Sequence, residues 1–193
     1  MKLIIASNNK HKLIEIKAIL GGLFEEIVSM REAGIEHETL EDGSTFMENA
    51  VKKAKEIAEI SGCCALADDS GICVDALDGG PGIYSARFCG RHGDDEANNR
   101  LLLEKLAERE DRGAHYTCAI ALVYPDGRQV CAEGYLYGRI GHEEKGENGF
   151  GYDPLFFLPE YGCTAAQLSP GEKNRISHRA SALHALLEKL HAE

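Results

Sequence analysis

The sequence contains no tryptophan, and phenylalanine and tyrosine together account for only 7% of its residues. The core must therefore be built mainly from aliphatic side chains. Long hydrophobic runs are also absent, since the longest, residues 118–124, is far shorter than the roughly 20 residues that span a bilayer. The apolar stretch 3–6 is too short for the core of a signal peptide. These absences predict a soluble, cytoplasmic protein.

The sequence has few basic residues relative to acidic ones. The chain has 21 Lys and Arg against 32 Asp and Glu, which gives a formal net charge of −11. A protein that binds duplex nucleic acid needs a basic face to neutralise phosphates, so nucleic acid is excluded as a predicted partner. A small anion can still bind where lysines and arginines converge locally or where a divalent metal ion bridges.

Paired cysteines and linker segments are missing as well. The seven cysteines show no C-x-x-C spacing, which favours reduced structural thiols over a redox or zinc site. No low-complexity tract, repeat or Pro- or Ser-rich linker interrupts the chain. Its 193 residues are enough for a substantial core, and we expect a single domain over residues 1–193.

Hydrophobic periodicity and cap residues predict helices that alternate with strands. Thr45 and Glu48 form a capping box ahead of a helix that is expected to stop at Gly62. The Pro-Asp-Gly sequence at 125–127 indicates a hairpin. Together these signals predict an α/β fold with a mixed sheet, flanking helices and an antiparallel hairpin in the second half. The predicted elements are strands at 3–6, 64–67, 116–124 and 129–134, an apolar run at 155–158, a turn at 68–71, and helices after residue 9, at 45–61, at 94–109 and from 170 past 190.

A polar segment lies where the first predicted strand gives way to the first helix. Backbone N–H groups at a helix start, the helix dipole and two lysines form a cradle for an anion. The segment is not a Walker A loop, because the glycines and the Gly-Lys-Ser/Thr ending are missing. A helix cap followed by a solvated basic turn explains the same residues. They are Ser7, Asn8, Asn9, Lys10, His11 and Lys12.

Two adjacent aspartates, Asp68 and Asp69, follow a predicted buried strand. Like charges there resist ionising together unless a cation lies between them, and Mg²⁺ prefers such oxygen ligands. Glu41 offers a further carboxylate. Lys53 falls on the apolar arc of the capped helix, where it either extends to solvent or meets a buried anion. A polar turn without a metal remains the alternative for the aspartates, and a surface turn for Glu41.

A third group of residues combines an aromatic ring with charged side chains. Glycines on both sides of Phe150 free the backbone for a close approach to a ligand, and the ring offers a stacking platform for a base. Asp153 is held by the rigid proline that follows it. Packing of the aromatics into the core is the alternative. Lys173, His178 and Arg179 bring cationic donors to the predicted closing helix, unless they form a solvated face.

Together and in this order, these segments resemble the inosine/xanthosine triphosphate pyrophosphatase family, also called the non-canonical purine NTP pyrophosphatases. The resemblance implies an α/β subunit with two lobes around a central cleft, assembled as a homodimer. It implies Mg²⁺-dependent hydrolysis of ITP, dITP and XTP to the monophosphate and pyrophosphate, which cleanses the nucleotide pool. The matching pieces are Ser7-x-Asn9-x-x-Lys12, Thr45-Phe46-x-Glu48-Asn49-Ala50, Ala67-Asp68-Asp69-Ser70-Gly71, Pro81-Gly82-Ile83-Tyr84-Ser85-Ala86-Arg87, Gly149-Phe150-Gly151-Tyr152-Asp153-Pro154 and Ser177-His178-Arg179.

The same resemblance implies roles for the charged residues. Metal ligation falls to Glu41, Asp68 and Asp69. Asp69 is also the expected base that deprotonates the attacking water. Lys53 and Lys12, with Lys10, neutralise the triphosphate, while Ser7 and Asn9 add hydrogen bonds.

Base choice follows from hydrogen bonding. Arg179 and His178 are donors, which suit a 6-keto oxygen and leave a 6-amino group unpaired. Phe150 is expected to stack on the purine, while Asp153 and Lys173 contact its other edges. The further residues that the resemblance assigns to substrate binding are Asn8, His11, Ser70, Gly151 and Tyr152.

Two other functions remain open at this point. A Mg²⁺-dependent pyrophosphatase that acts on other nucleotides, such as modified pyrimidine triphosphates, would use the same residues. A nucleotide sensor would keep the cradle and the aromatic platform without turnover, although it has less use for Glu41 beside an aspartate pair. A purely structural interaction protein leaves the clustered polar residues unexplained.

Overall fold

The computed structural model describes residues 1–192, except the side chain of His11. Its regular elements are β1 (Lys2–Ile5), α1 (Lys10–Leu20), β2 (Glu26–Ser29), α2 (Phe46–Ser61), β3 (Cys64–Val74), α3 (Asp95–Lys105), β4 (Gly113–Val123), β5 (Gln129–Ile140), β6 (Phe156–Leu158), β7 (Cys163–Thr164), α4 (Pro170–Ile176) and α5 (His178–Ala192). The strands form one sheet in the order β2-β1-β3-β4-β5-β6-β7. β1 is parallel to β2 and β3, whereas β6 is antiparallel to β5 and β7. The predicted α/β fold with a mixed sheet is confirmed.

The chain divides into two compact units, each made of segments that are distant in sequence. The first unit contains residues 1–69, 118–134 and the chain from 178 onward, and the second contains residues 70–117 and 135–177. Because the chain leaves each unit and returns to it, no linker marks the division in the sequence.

Alternate residues of β1 contribute to two hydrophobic clusters of the first unit. Leu3 and Ile5 pack with Leu20 of α1 and Leu183 of α5. Ile4 points the other way, since side chains alternate across a strand, and belongs to a cluster with buried residues of α2. The sheet of this unit therefore has α1 and α5 on one face and α2 on the other.

The core of the second unit mixes aliphatic residues with a few aromatic rings. Ile72, Leu102 and Leu168 belong to it, together with Tyr116 and Phe156, whose ring centroids are 4.6 Å apart. The expectation of a mainly aliphatic core is confirmed in both units. Within residues 1–192, no helix combines the length and the apolar character needed to cross a membrane.

Helix α2 begins and ends where the sequence predicts. The Thr45 Oγ1 atom accepts a hydrogen bond from the Glu48 N–H at 3.1 Å. The Glu48 carboxylate reaches one residue further back than a capping box requires and accepts from the Ser44 N–H at 2.7 Å. At the other end Gly62 adopts a left-handed conformation with φ of 63°, and its N–H bonds to the Ala58 carbonyl.

The predicted turn at 68–71 is wrong, because β3 continues through these residues to Val74. Adjacent carboxylates do not break the strand, since each is paired with a lysine or arginine side chain. Two short strands, β2 and β7, were missed. Three further elements differ in extent: α3 ends earlier than predicted, β4 begins earlier, and β5 continues beyond its predicted end.

The single closing helix is a second error. Ser169 and Glu172 do form the predicted capping box, but α4 ends at Ile176 and α5 begins at His178. Ser177 between them is extended, with φ of −63° and ψ of 152°. Serine is favoured at helix boundaries because its side chain competes for backbone hydrogen bonds. A repeat of leucines with helical spacing does not reveal a break of one residue.

Candidate active site

Asp68 lies at the centre of a buried ionic cluster in the first unit. Its Oδ1 atom is 3.0 Å from the Lys12 ammonium, and its Oδ2 atom accepts a hydrogen bond from Arg179 Nε at 3.0 Å. Arg179 is only 2% exposed and donates from Nη1 to Glu15 at 2.9 Å. These four residues, termed the Asp68 cluster, place two carboxylates against two cations, so their formal charges balance.

The carboxylate of the next residue, Asp69, is held by side chains of α2. Lys53 donates to Asp69 Oδ1 at 3.1 Å, to Glu41 Oε1 at 3.0 Å and to the Asp68 carbonyl at 2.9 Å. Asn49 Nδ2 donates to Asp69 Oδ2 at 3.2 Å. Of the two alternatives for Lys53, the structure has the buried one, in which the ammonium meets carboxylates.

Burial and charge separate the pKa values of the two adjacent aspartates. Burial disfavours the ionised form of Asp68, but the surrounding cations, Lys12 foremost, outweigh it and lower the pKa well below its usual value. For Asp69, burial outweighs the attraction of Lys53, and Glu41 adds repulsion, so the pKa is raised. Carboxyl groups whose pKa values are pushed apart are typical of acid–base sites. Asp69 is the better proton acceptor of the two.

Oxygen ligands suited to a hard cation converge beside Lys53. Glu41 and Asp69 share its ammonium as their common cation, whereas both oxygens of Asp68 already contact cationic side chains. Mg²⁺ is commonly bound by one or two carboxylates together with water and phosphate oxygens, so Glu41 and Asp69 fit it. Within residues 1–192, no group of three or more His, Cys, Asp and Glu side chains is arranged to hold a metal ion.

The polar segment 7–12 lies at the start of α1. Asn9 caps the helix, because its Oδ1 atom accepts a hydrogen bond from the Lys12 N–H at 3.4 Å. Ser7 Oγ accepts from the Asn9 N–H at 3.1 Å. The helix cap of the alternative explanation is therefore present, but its solvated basic turn does not extend to Lys12, whose ammonium pairs with Asp68.

Two further residues of this segment, Asn8 and Lys10, are exposed. Asn8 Oδ1 accepts from the Arg31 N–H at 3.2 Å, and both residues line a cavity of about 630 Å³ in the first unit. Lys10 lies on the surface. The predicted contact of the His11 side chain lies outside the part of the chain that the structure describes.

The segment that carries Glu41 is tied to α2 by Glu56. The Glu56 carboxylate lies 2.7 Å from His37 Nε2 and accepts from the Thr39 hydroxyl at 2.6 Å. No pattern in the sequence indicated this contact. It fixes the segment two residues before Glu41 and so limits where the Glu41 carboxylate can lie.

In the second unit, the buried carboxylate of Asp153 is contacted by three hydrogen-bond donors. Its Oδ2 atom accepts from the Phe150 N–H at 2.9 Å and contacts the Lys173 ammonium, and its Oδ1 atom accepts from the Tyr116 hydroxyl at 3.3 Å. The Lys173 ammonium also lies 4.8 Å from the centre of the Phe150 ring. Lys173 therefore lies near the Phe150 ring, and Asp153 holds both the Lys173 ammonium and the Phe150 backbone.

Glycines shape the loop around this ring. Gly149 has φ of 79°, and a Cβ atom there would overlap the Asp153 carboxylate. The Gly151 N–H donates to Asp95 at 2.8 Å. Phe150 keeps 37% of its surface exposed, so the ring is open to a ligand on one side.

Tyr152, in contrast, is part of the core. It is buried, and its hydroxyl donates to the Ser85 carbonyl at 2.7 Å. Ser85 Oγ accepts from the Ile72 N–H at 2.9 Å, which ties β3 to the short helical turn at Gly82–Arg87. The alternative of core packing therefore holds for Tyr152 and not for Phe150. The Tyr152–Ser85 hydrogen bond also ties the loop 149–154 to the helical turn at Gly82–Arg87.

Ser70 and His178 are the last two residues of the predicted site, and each is the neighbour in sequence of another predicted residue. Ser70 follows Asp69 in β3 and opens the second unit. His178 is buried at the first position of α5, next to Arg179 in the first unit.

Known proteins match the chain over almost its whole length. The model of the Ham1 family matches residues 3–189. The chain belongs to the Ham1 family. It is 50% identical to a "dITP/XTP pyrophosphatase" of Exiguobacterium sibiricum, over 96% of this chain and 95% of that protein. A second protein of that name, from Leuconostoc mesenteroides, is also 50% identical, over 98% and 96%. The solved Ham1 protein of Staphylococcus aureus superposes with a TM-score of 0.91 at 40% identity and covers 100% of this chain and 99% of its own.

Four side chains at the sites of this Ham1 family chain had no predicted role. Asn49 lies four residues before Lys53, so helical spacing would have placed it on the same face. Glu56, Tyr116 and Glu15 carry no local signal, because each partner is remote in sequence. Glu15 and Arg179, for example, are 164 residues apart.

Proposed function

We propose that the chain is a Mg²⁺-dependent pyrophosphatase that hydrolyses ITP, dITP and XTP to the monophosphate and pyrophosphate. One observation carries the proposal. A buried carboxylate with a raised pKa, Asp69, lies against Lys53 in a chain that is 50% identical to a dITP/XTP pyrophosphatase. In the cell this activity would remove deaminated purine nucleotides before they enter DNA or RNA.

Binding of a triphosphate to a chain of net charge −11 requires cations that are concentrated locally. Lys12 and Lys53 would contact the phosphate oxygens, and because both ammonium groups also pair with carboxylates, a bound Mg²⁺ would offset part of that negative charge. Lys10 and the backbone N–H groups at the start of α1 add a positive potential for phosphate oxygens. Ser7 and Asn9 contribute hydrogen-bonding groups at the same end of the helix.

Asp69 is the group that takes the proton from the attacking water. Its raised pKa makes it a stronger base than an ordinary aspartate. The proton taken from water neutralises the Asp69 carboxylate. The Lys53 ammonium stays charged, because the nearby carboxylates outweigh its burial and raise its pKa, and it can then face phosphate oxygens. Mg²⁺, when bound, supplies a Lewis acid that offsets phosphate charge and makes water more acidic. Glu41 and Asp69 are the residues that would hold it, with Asp68 beside them.

Three residues of the second unit, Phe150, Asp153 and Lys173, would contact the base. The open side of the Phe150 ring stacks on the purine, and the Asp153–Lys173 pair contacts its polar edges. We retain Arg179 and His178 as the donors for a 6-keto oxygen. A 6-amino group in their place would leave a desolvated donor unpaired, which costs about 1–3 kcal/mol.

Product analysis tests the reaction. The pure protein is incubated with ITP, XTP, ATP and GTP, with Mg²⁺ and in parallel with EDTA. We expect monophosphate and pyrophosphate from ITP and XTP, little from ATP and GTP, and no product with EDTA. Diphosphate with free phosphate would overturn the bond that we assign, and preferential turnover of modified pyrimidine triphosphates would overturn the substrate class.

Replacement of Phe150 by Ala tests the base site. Loss of the stacking surface is expected to weaken binding of a non-hydrolysable ITP analogue by about 1–3 kcal/mol, the usual value for one stacked base. The affinity is measured by titration calorimetry. Tyr137→Ala is the matched control, because this ring is 70% exposed and lies outside the loop 149–154. Equal affinities for the Phe150 variant and the wild type would remove Phe150 from base binding.

We also propose that the protein is a cytoplasmic homodimer that does not bind nucleic acid. The resemblance to the pyrophosphatase family supports the dimer, and the acidic net charge supports the lack of nucleic-acid binding. Sedimentation equilibrium of the purified chain distinguishes a dimer from a monomer.

A further inference from the structure

Asn49 is a buried amide for which the proposed reaction has no role so far. It lies in the first turn of α2 and has no exposed surface. Its side chain makes two hydrogen bonds. Oδ1 accepts from the Gly43 N–H at 2.9 Å, and Nδ2 donates to Asp69 Oδ2 at 3.2 Å.

The orientation of this amide follows from its partners. A backbone N–H can only donate, so the oxygen of Asn49 must face Gly43. The NH₂ group then necessarily faces Asp69. A flipped amide would place two donors against each other at Gly43 and two acceptors against each other at Asp69.

The two oxygens of Asp69 are thus held by two residues of one helix. Lys53 donates to Oδ1 at 3.1 Å, and Asn49, four residues earlier on the same face of α2, donates to Oδ2. An aspartate carboxyl rotates easily about its last torsion, because that torsion has no sharp minima. One donor leaves this rotation free, whereas two donors fix the plane of the carboxylate.

The same amide also holds the segment that carries Glu41. A Cβ atom at Gly43 would lie 2.6 Å from Asn49 Oδ1 and 2.9 Å from Glu48 Cβ, so the backbone approaches α2 as closely as only glycine permits. Glu41 is two residues away from this contact. Asn49 therefore links the position of one carboxylate to the orientation of the other.

We propose that Asn49 is a positioning residue, which orients Asp69 for proton transfer and does not touch the substrate. The inference rests on the proposed function, because it assigns Asn49 a part in the chemistry that Asp69 performs. Supporting residues of this kind affect the rate through geometry, since small errors in the placement of a reacting group are costly.

The test compares Asn49→Ala with Glu48→Ala. The control removes the neighbouring helix-cap contacts to Ser44 and leaves Asp69 untouched. In Asn49→Ala we expect kcat on ITP to fall about 10- to 100-fold, as for other residues that orient a reacting group. KM and the dissociation constant of a non-hydrolysable ITP analogue should stay within about threefold of the wild type. The control should retain its kcat.

Gly43→Ala provides a second variant in which Asn49 itself is intact. Its methyl group would displace the Asn49 amide, so kcat should fall in the same direction, again with analogue binding retained. All kcat values are expressed per subunit that binds the analogue, which removes losses due to misfolding.

Each other outcome counts against the proposal. An unchanged kcat per binding-competent subunit, or a loss confined to analogue affinity, would overturn it. Failure of both variants to fold would assign Asn49 to the fold alone. If wild-type protein run in parallel does not hydrolyse ITP, the proposed function fails, and the role of Asn49 fails with it. The wild-type arm therefore separates the two kinds of failure.

Discussion

Replacement of Asp69 by Asn is expected to lower kcat on ITP by about 10²- to 10⁴-fold, the usual contribution of a general base. The amide keeps the shape of the side chain but accepts no proton from water. Analogue binding should persist, because Lys12 and Lys53 remain to neutralise phosphates. The measurement pairs single-turnover kinetics with titration calorimetry.

The outcome also separates an enzyme from a nucleotide sensor. A sensor would behave in the same way with or without the Asp69 carboxylate. Asp126→Asn is the control, because Asp126 is an exposed residue of the 125–127 turn whose Oδ1 atom accepts from the Arg128 N–H, and asparagine preserves that acceptor. Wild-type kcat in the Asp69 variant would exclude it as the base.

Replacement of Arg179 by Met should give the largest loss of stability. Arg179 is buried between Asp68 and Glu15, and its removal takes the guanidinium from both carboxylates. Removal of one partner from a buried ionic cluster typically costs about 3–5 kcal/mol. The free energy of unfolding is measured by urea denaturation.

A matched control comes from an exposed ion pair. Arg100 lies 3.0 Å from Glu96 on the surface of α3, and Arg100→Met should cost at most about 1 kcal/mol. Equal losses in the two variants would contradict the importance that we assign to the Asp68 cluster.

The Arg179 variant also addresses base selection. If the guanidinium reads the 6-keto oxygen, the ratio of kcat/KM for ITP over ATP should fall in the folded fraction. If the ratio is unchanged, Arg179 acts only through Asp68 and Glu15.

The sequence predicted well those features that depend on neighbours along the chain. The start of α2 at Thr45 and its end at Gly62 were correct because a cap requires only residues within a few positions. The apolar arc of that helix left two positions open for Lys53, in solvent or against a buried anion, and the structure has the second, where the ammonium meets Glu41 and Asp69.

Features that depend on remote partners were not predictable. The strand β3 continues through Asp68 and Asp69 because cations from α1, α2 and α5 neutralise them, and no pattern within residues 68–71 reveals those cations. The contact of Tyr116 was unpredictable for the same reason, because its hydroxyl donates to Asp153, which lies 37 residues later in the sequence. The break at Ser177 was not predicted for a different reason. The helical spacing of the leucines continues across a single extended residue, so the pattern does not show the break.

The position of Arg179 in the last helix has a consequence for biosynthesis. Asp68 emerges from the ribosome 111 residues before the guanidinium that pairs with its Oδ2 atom. A nascent chain, or a fragment that ends before α5, lacks this guanidinium and has only lysine side chains to offset that carboxylate, so burying it is costly. The Asp68 cluster therefore cannot close until α5 has been synthesised, and fragments that end before α5 should fold less stably than the chain that includes it.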